Sequence, residues 1–184
     1  MSDFGVGDSF PEMLLMNAHN GLGGYTLQGG IFRMVCSNGM VVSDQDFGKI
    51  QIRHIGFEPK QVTEASRELI MNASQIADKI GGWQETEMSE RSRKDFFADA
   101  AKLRWDSPDD GLILDVATPR READKKTDLW TTFNVAQENL LRGGFRNGST
   151  NRMVRPISNI QKDVNLNTQL WDLASTYSEG YALN

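Results

Sequence analysis

The sequence predicts an α+β domain, an antiparallel β-meander of about four to five strands followed by about four helices packed on one face. Three observations predict it. The stretch Gly24 to Ile55, GYTLQGGIFRMVCSNGMVVSDQDFGKIQIRHI, reads as successive β-strands. Within it Ser37-Asn38-Gly39 marks a tight turn between apolar runs. Asn-Gly is the strongest short-range hairpin signal, because a type I′ turn needs φ > 0 at both central residues. After Pro59 the apolar residues change from alternation to helical spacing.

Residues 1–9 are polar and Gly-rich and read as a flexible lead-in to one domain over residues 10–184. Glu12 to Asn17 (EMLLMN) is the first predicted strand, ending in the turn-rich Asn17-Ala18-His19-Asn20-Gly21. Strands follow at Tyr25–Gln28, Ile31–Cys36, Met40–Ser43 and Gly48–His54. In the last, Ile50 and Ile52 alternate with Lys49, Gln51 and Arg53, the pattern of a sheet wet on one face. Gly56-Phe57-Glu58-Pro59 switches the chain to helix, with Pro59 suited to the first turn. From Lys60 to Ile80 the apolar residues Val62, Leu69, Ala73, Ile76 and Ile80 share a stripe, and Gly81-Gly82 is expected to stop the run.

Ser89 is placed to cap a helix through about Arg104, with Phe96, Phe97, Ala100 and Leu103 inward. Asp106 to Lys126 is charged and irregular, and its apolar insert Leu112–Val116 reads as an edge strand or part of a loop. Asp128 caps the helix DLWTTFNVAQENLLRGG, whose stripe is Leu129, Phe133, Ala136 and Leu140 and whose C-cap is Gly143. A loop runs to Pro156, and Ile157 to Tyr177 reads as helix in one or two pieces. Trp83, Trp105, Trp130 and Trp171 fall on or beside these helices and read as core or interface anchors.

A chain of 184 residues with 39% hydrophobic and 24% charged residues can bury a core as one globular domain. No apolar run approaches the roughly 18–20 residues of a membrane span, and MSDFGVGDSFPE lacks the basic and apolar regions of a signal peptide. The single cysteine excludes an internal disulfide and a multi-cysteine zinc site. A cytoplasmic protein without a membrane partner is expected.

The net charge of −5 conceals a segregation. From Asn139 to Lys162 the chain carries Arg142, Arg146, Arg152, Arg155 and Lys162 and no Asp or Glu, interleaved with Phe145, Gly143, Gly144 and Gly148. Arginine presents a planar fork suited to phosphate, glycine-rich backbone approaches a phosphodiester closely, and Phe145 could stack on an unpaired base. Arg33 and Arg53 would extend this cationic surface if they share the wet face of the sheet. The plainer alternative pairs the loop arginines with the acidic stretch Asp106–Asp124 or with a neighbouring subunit, and leaves Arg33 and Arg53 as solvated strand residues.

Other constellations are weaker. Cys36 and His19 could form a thiolate–imidazole pair, but Cys36 sits in an apolar strand and no third residue orients them. His19, His54 and Cys36 lack metal-ligand spacing, and Gly21-Leu22-Gly23-Gly24 lacks the spacing and following helix of a phosphate loop. Asp106, Asp109, Asp110 and Asp115 cluster with turn formers and read as a solvated loop rather than a magnesium site. No catalytic residue, cofactor or metal is expected.

The runs Asn17-Ala18-His19-Asn20-Gly21, GGIFRMVCSNGMVV, IQIRHIG, DLWTTFNVAQENLLRGG and Arg152…Arg155-Pro156-Ile157…LNTQLWDLA, in order from about Phe10 to Ala174, resemble the DUF932 family. The resemblance implies a phage- or plasmid-related protein, with an N-terminal region of longer members that this chain is expected to lack. It carries over no catalytic residues. The β-β-β-α order also looks like the core of single-strand annealing proteins of the Rad52 type, an analogy of fold alone.

Together these readings predict a non-enzymatic protein that binds nucleic acid, single-stranded DNA in particular, as a possible homo-oligomer. The alternative is an interaction protein that inhibits a host defence complex by protein contact or DNA mimicry, drawing on a pI near 5.1 and the Asp106–Asp124 acids. A metal-dependent nuclease ranks third.

Overall fold

The computed structural model describes residues 9–17, 25–33, 39–41, 49–52, 59–148 and 150–182. The chain divides into two compact units, Met1–Lys79 and Ile80–Asn184, and the division falls within one helix.

In the first unit, β1 (Ser9–Asn17) pairs antiparallel with the whole of β2 (Tyr25–Arg33). The other edge of β2 is shared. β3 (Gly39–Val41) pairs with Gly30–Phe32, and β4 (Lys49–Ile52) pairs with Tyr25–Gln28. The expected meander is therefore wrong, because β4 returns to β2 and not to β3. The reason is length. β3 covers only three residues of a nine-residue partner, and the backbone groups left open on β2 need a second strand.

Ser37 and Asn38 of the expected tight turn lie outside the described residues. Phe32 pairs with Gly39 and Ile31 with Met40, so Gly39 lies in the strand. The predicted break at Gly29-Gly30 is also absent, since β2 runs through it.

The second unit overturns the α+β class with helices laid on a sheet. It is helical, and its described residues contain no strand, only the isolated bridges Glu87↔Asp128 and Arg146↔Met153. Its elements are the end of α1 (Pro59–Glu85), α2 (Glu90–Lys102), α3 (Asp110–Val116), a 3₁₀ turn at Glu122–Lys125, α4 (Leu129–Arg142) and α5 (Ile160–Ala182). Among the described residues no helix is long and apolar enough to cross a membrane.

Gly81-Gly82 does not stop α1, which continues to Glu85. Two helical glycines cost about 1 kcal/mol each relative to alanine. The last turn offsets this by burying Trp83, whose ring centroid lies 4.4 Å from Trp171, 6.3 Å from Trp130 and 5.7 Å from Phe133. Each aromatic pair adds about 0.5–1.5 kcal/mol beyond its buried area. Trp130 stacks on Phe133 with an interplanar angle of 6°. Trp83, Trp130 and Trp171 are three of the four anchors the sequence indicated, and Trp105 is half-buried.

α2 starts where expected. The Ser89 hydroxyl accepts from the Ser92 N–H at 3.1 Å, and Phe96, Phe97 and Ala100 face the core. The Leu112–Val116 insert is a helix rather than a strand or loop, because Asp109 caps it by accepting from the Leu112 N–H at 2.7 Å. α5 is one helix starting at Ile160.

α4 occupies the centre of this unit, and every one of its residues from Leu129 to Leu141 is buried. Its stripe of Leu129, Phe133, Ala136 and Leu140 was legible. Its other faces carry Asn134, Gln137, Glu138 and Asn139, which are also buried. Buried polar groups are costly unless partnered. Gln137 Nε2 donates to Asn167 Oδ1 at 2.8 Å, and Asn167 Nδ2 donates to Asp163 Oδ1 at 2.7 Å, tying α4 to α5. Asn139 Nδ2 donates to the Val116 and Thr118 carbonyls, both at 2.9 Å, closing the end of α3.

Candidate functional site

Immediately after α4 the chain forms a small hairpin over Gly144–Val154. The Gly144 N–H donates to the Val154 carbonyl at 2.9 Å, the Val154 N–H to Phe145 at 2.8 Å, and the Asn147 N–H to Arg152 at 2.9 Å. Gly143 enables the entry. Its φ of +58° is in the region that favours glycine, and a Cβ there would stand 2.4 Å from the Val154 carbonyl oxygen. At the far end Asn151 takes φ 51°, which asparagine tolerates, and Asn147 Oδ1 accepts from the Thr150 N–H at 2.9 Å.

Alternation along the two short arms puts Phe145 and Val154 on one face and Arg146 and Met153 on the other. Val154 is buried and Phe145 half-buried, with the Phe145 ring 6.4 Å from Trp105. Arg146 and Met153, which oppose each other, are exposed, and so are Arg152 and Arg155. Arg146 Nη1 donates to the Asn151 carbonyl at 3.1 Å. Among the described residues Arg146, Arg152 and Arg155 meet no carboxylate.

The remaining sequence-predicted site residues are placed differently. Arg142 is half-buried in the last turn of α4, where its charge helps to hold the Glu138 carboxyl down. Arg33 ends β2 in the first unit, its backbone paired with Ser9. Arg53, His54, His19 and Cys36 lie outside the described residues.

Of three arginines the sequence did not single out, Arg104 and Arg120 tie down the two ends of the hairpin and Arg121 holds Glu138 of α4. Arg104 donates through Nη1 to the Leu140 carbonyl and through Nη2 to the Arg155 carbonyl, the latter at 2.7 Å. Its guanidinium lies 5.0 Å from the centre of the Trp105 ring. Arg120 donates to Asn139 Oδ1 at 2.7 Å and to the Gly143 carbonyl. Arg121 forms a two-pronged pair with buried Glu138, both contacts at 2.7 Å, and reaches Asp124 Oδ2 at 3.1 Å.

Burial pushes the Glu138 carboxyl up. The Arg121 hydrogen bond and the charges of Arg121, Arg120 and Arg142 outweigh that and hold it below the usual range. Of the Asp106–Asp124 acids, Asp109 caps α3 and Asp124 is buried against Arg121. The signal for Arg120 and Arg121 was present in α4, because a buried Glu138-Asn139 pair requires donors from elsewhere in the chain.

The geometry is that of a hydrogen-bonded basic hairpin on a helical base, and a domain of unknown function, DUF932, matches residues 4–171 of the chain. The chain belongs to the DUF932 family. It is 32% identical over 175 residues to UPF0380 protein YfjQ of Escherichia coli (strain K12), covering 93% of this chain and 64% of that protein. It is likewise 32% identical over 173 residues to UPF0380 protein YafZ of the same strain, covering 92% of this chain and 63% of that one. This DUF932 chain thus spans under two thirds of the length of these curated relatives. No solved structure matches it.

Proposed function

We propose that this DUF932 protein binds single-stranded DNA, without catalysing a reaction, through the exposed arginines of the Gly144–Val154 hairpin and the adjoining Arg155. One observation carries the reading: Arg146, Arg152 and Arg155 are exposed on one braced hairpin and meet no carboxylate among the described residues. Three guanidinium forks supply donors matched to phosphate oxygens. Met153, 53% exposed and opposite Arg146, offers apolar contact to an unstacked base. Bracing by Arg104 and Arg120 lowers the ordering cost of binding. The phage and plasmid setting implied by the family resemblance suits a DNA ligand, and the activity is a cytoplasmic one.

Fluorescence anisotropy with a labelled single strand of about 30 nucleotides tests it. Three neutralised phosphates give a salt slope of about −2, a roughly 20-fold loss of affinity between about 50 and 200 mM salt. Arg146→Ala with Arg152→Ala should flatten that slope by about 1.4. Absence of binding at about 50 mM salt, or affinity indifferent to both substitutions, refutes the proposal.

A further inference from the structure

Beside the hairpin base, between the end of α2 and the start of α5, lies an open cleft of about 540 Å³. That volume is within the roughly 300–1,000 Å³ of small-molecule sites. Two cationic residues, Arg104 and Lys162, line it together with the amides of Asn159, Asn165 and Gln169. Leu103 and Leu166 supply apolar wall, and no carboxylate is among the described residues that line it.

The donors are uncommitted in a specific way. The Lys162 backbone N–H, which can only donate, fixes Asn159 Oδ1 at 2.9 Å and leaves Asn159 Nδ2 for another acceptor. Asn165 Oδ1 accepts from Gln161 Nε2 at 2.8 Å, which likewise leaves its Nδ2. Gln169 and the Lys162 ammonium have no side-chain partner among the described residues.

Arg104 makes the case sharper. It is half-buried, burial pushes its pKa below the ordinary value, and its partners are two carbonyls and an indole, all neutral. A partly desolvated cation without an anion, in an acid-free cleft rich in neutral donors, is a site that gains from a bound anion. The apolar walls and amide edges suit the sugar and base attached to such an anion better than a bare inorganic ion.

We infer that this cleft binds a phosphomonoester carried on a nucleoside, either a free nucleotide or the 5′-phosphorylated end of a strand. Lys162 and Arg104 meet the phosphate, and Asn159, Asn165 and Gln169 meet the sugar and base. The site is separate from the outer face of the hairpin and does not depend on the DNA-binding reading above.

Equilibrium dialysis of the full chain with a 5′-phosphorylated thymidine dinucleotide, its 5′-hydroxyl counterpart and thymidine 5′-monophosphate tests the inference. The phosphorylated dinucleotide should bind at least about tenfold more tightly than the hydroxyl form. Lys162→Gln should weaken it by about tenfold, and Gln169→Leu by several-fold. Both residues are exposed, so the variants should keep the wild-type circular dichroism and melting profile. Equal affinity for the mononucleotide identifies a free nucleotide as the ligand, whereas preference for the dinucleotide identifies a strand end.

Loss of phosphate discrimination, affinity unchanged by Lys162→Gln, or no saturable binding of either phosphorylated probe at millimolar concentration overturns the inference. The 5′-hydroxyl dinucleotide registers any binding by the hairpin alone, so the difference between the phosphorylated and hydroxyl forms reports this site whether or not the hairpin binds DNA.

Discussion

Replacing Arg121 with methionine removes the cation shared by two buried carboxylates. The Glu138 and Asp124 side chains are only 4% and 2% exposed, and Arg121 holds Glu138 through two contacts of 2.7 Å and Asp124 through one of 3.1 Å. Methionine keeps much of the apolar stem, so the loss is chiefly of charge and hydrogen bonds. Breaking a buried pair from one side costs about 3–5 kcal/mol, because an uncompensated charge stays behind.

The effect should depend on pH with a definite sign. In the native protein Glu138 has a depressed pKa, so its contribution is present above the unfolded value and is lost as pH falls through the folded one. In Arg121→Met the burial persists while the principal cation is gone. The Glu138 pKa then rises, and protonation relieves the cost. The destabilisation should therefore be largest near pH 7 and shrink toward and below about pH 4. Urea melts followed by tryptophan fluorescence report it directly, since all four tryptophans lie in Ile80–Asn184. A loss under about 1 kcal/mol at pH 7, or one that is flat with pH, refutes the argument.

Three further substitutions probe the same unit by urea melts. Asn139→Ala strands the Val116 and Thr118 carbonyls and should cost about 2–3 kcal/mol; a loss below about 0.5 kcal/mol would mean that water replaces the amide. Gly143→Ala puts a Cβ 2.4 Å from the Val154 carbonyl at φ +58° and should cost about 2–3 kcal/mol while also weakening binding of single-stranded DNA. Gly82→Ala should stabilise by about 0.5–1 kcal/mol, since Gly82 is exposed within α1 and an added Cβ meets nothing within 4 Å; destabilisation would show that the glycine pair has a conformational role.

Local rules read the helical half well where a single side chain decides the outcome. Ser89 and Asp128 cap their helices because each places an oxygen against an orphan N–H three residues on. The basic segment was legible as a composition, and the exposed Arg146, Arg152 and Arg155 are where it is realised. Local rules failed where a distant partner outweighed them. Gly81-Gly82 looks like a helix stop until Trp83 is buried among Trp130, Phe133 and Trp171. Leu112–Val116 looks like strand or loop, yet Asp109 and the α4 contacts make it helix. The meander failed because pairing between strands is a competition over a whole edge, and β4 fits the open half of β2.

Taken by itself, the sequence determined the family, the capped helices, the apolar stripe of α4 and the acid-free run from Asn139 to Lys162. These follow from residue order and spacing, which act over one or two turns of chain. Only the tertiary structure decided that α4 is buried on every side, that Arg104 and Arg120 brace the hairpin, and that Arg121 and Arg142 serve Glu138 while Arg146, Arg152 and Arg155 stay exposed. Burial and charge compensation depend on partners 17 to 51 residues away in the chain, and such distances leave no local periodicity to read.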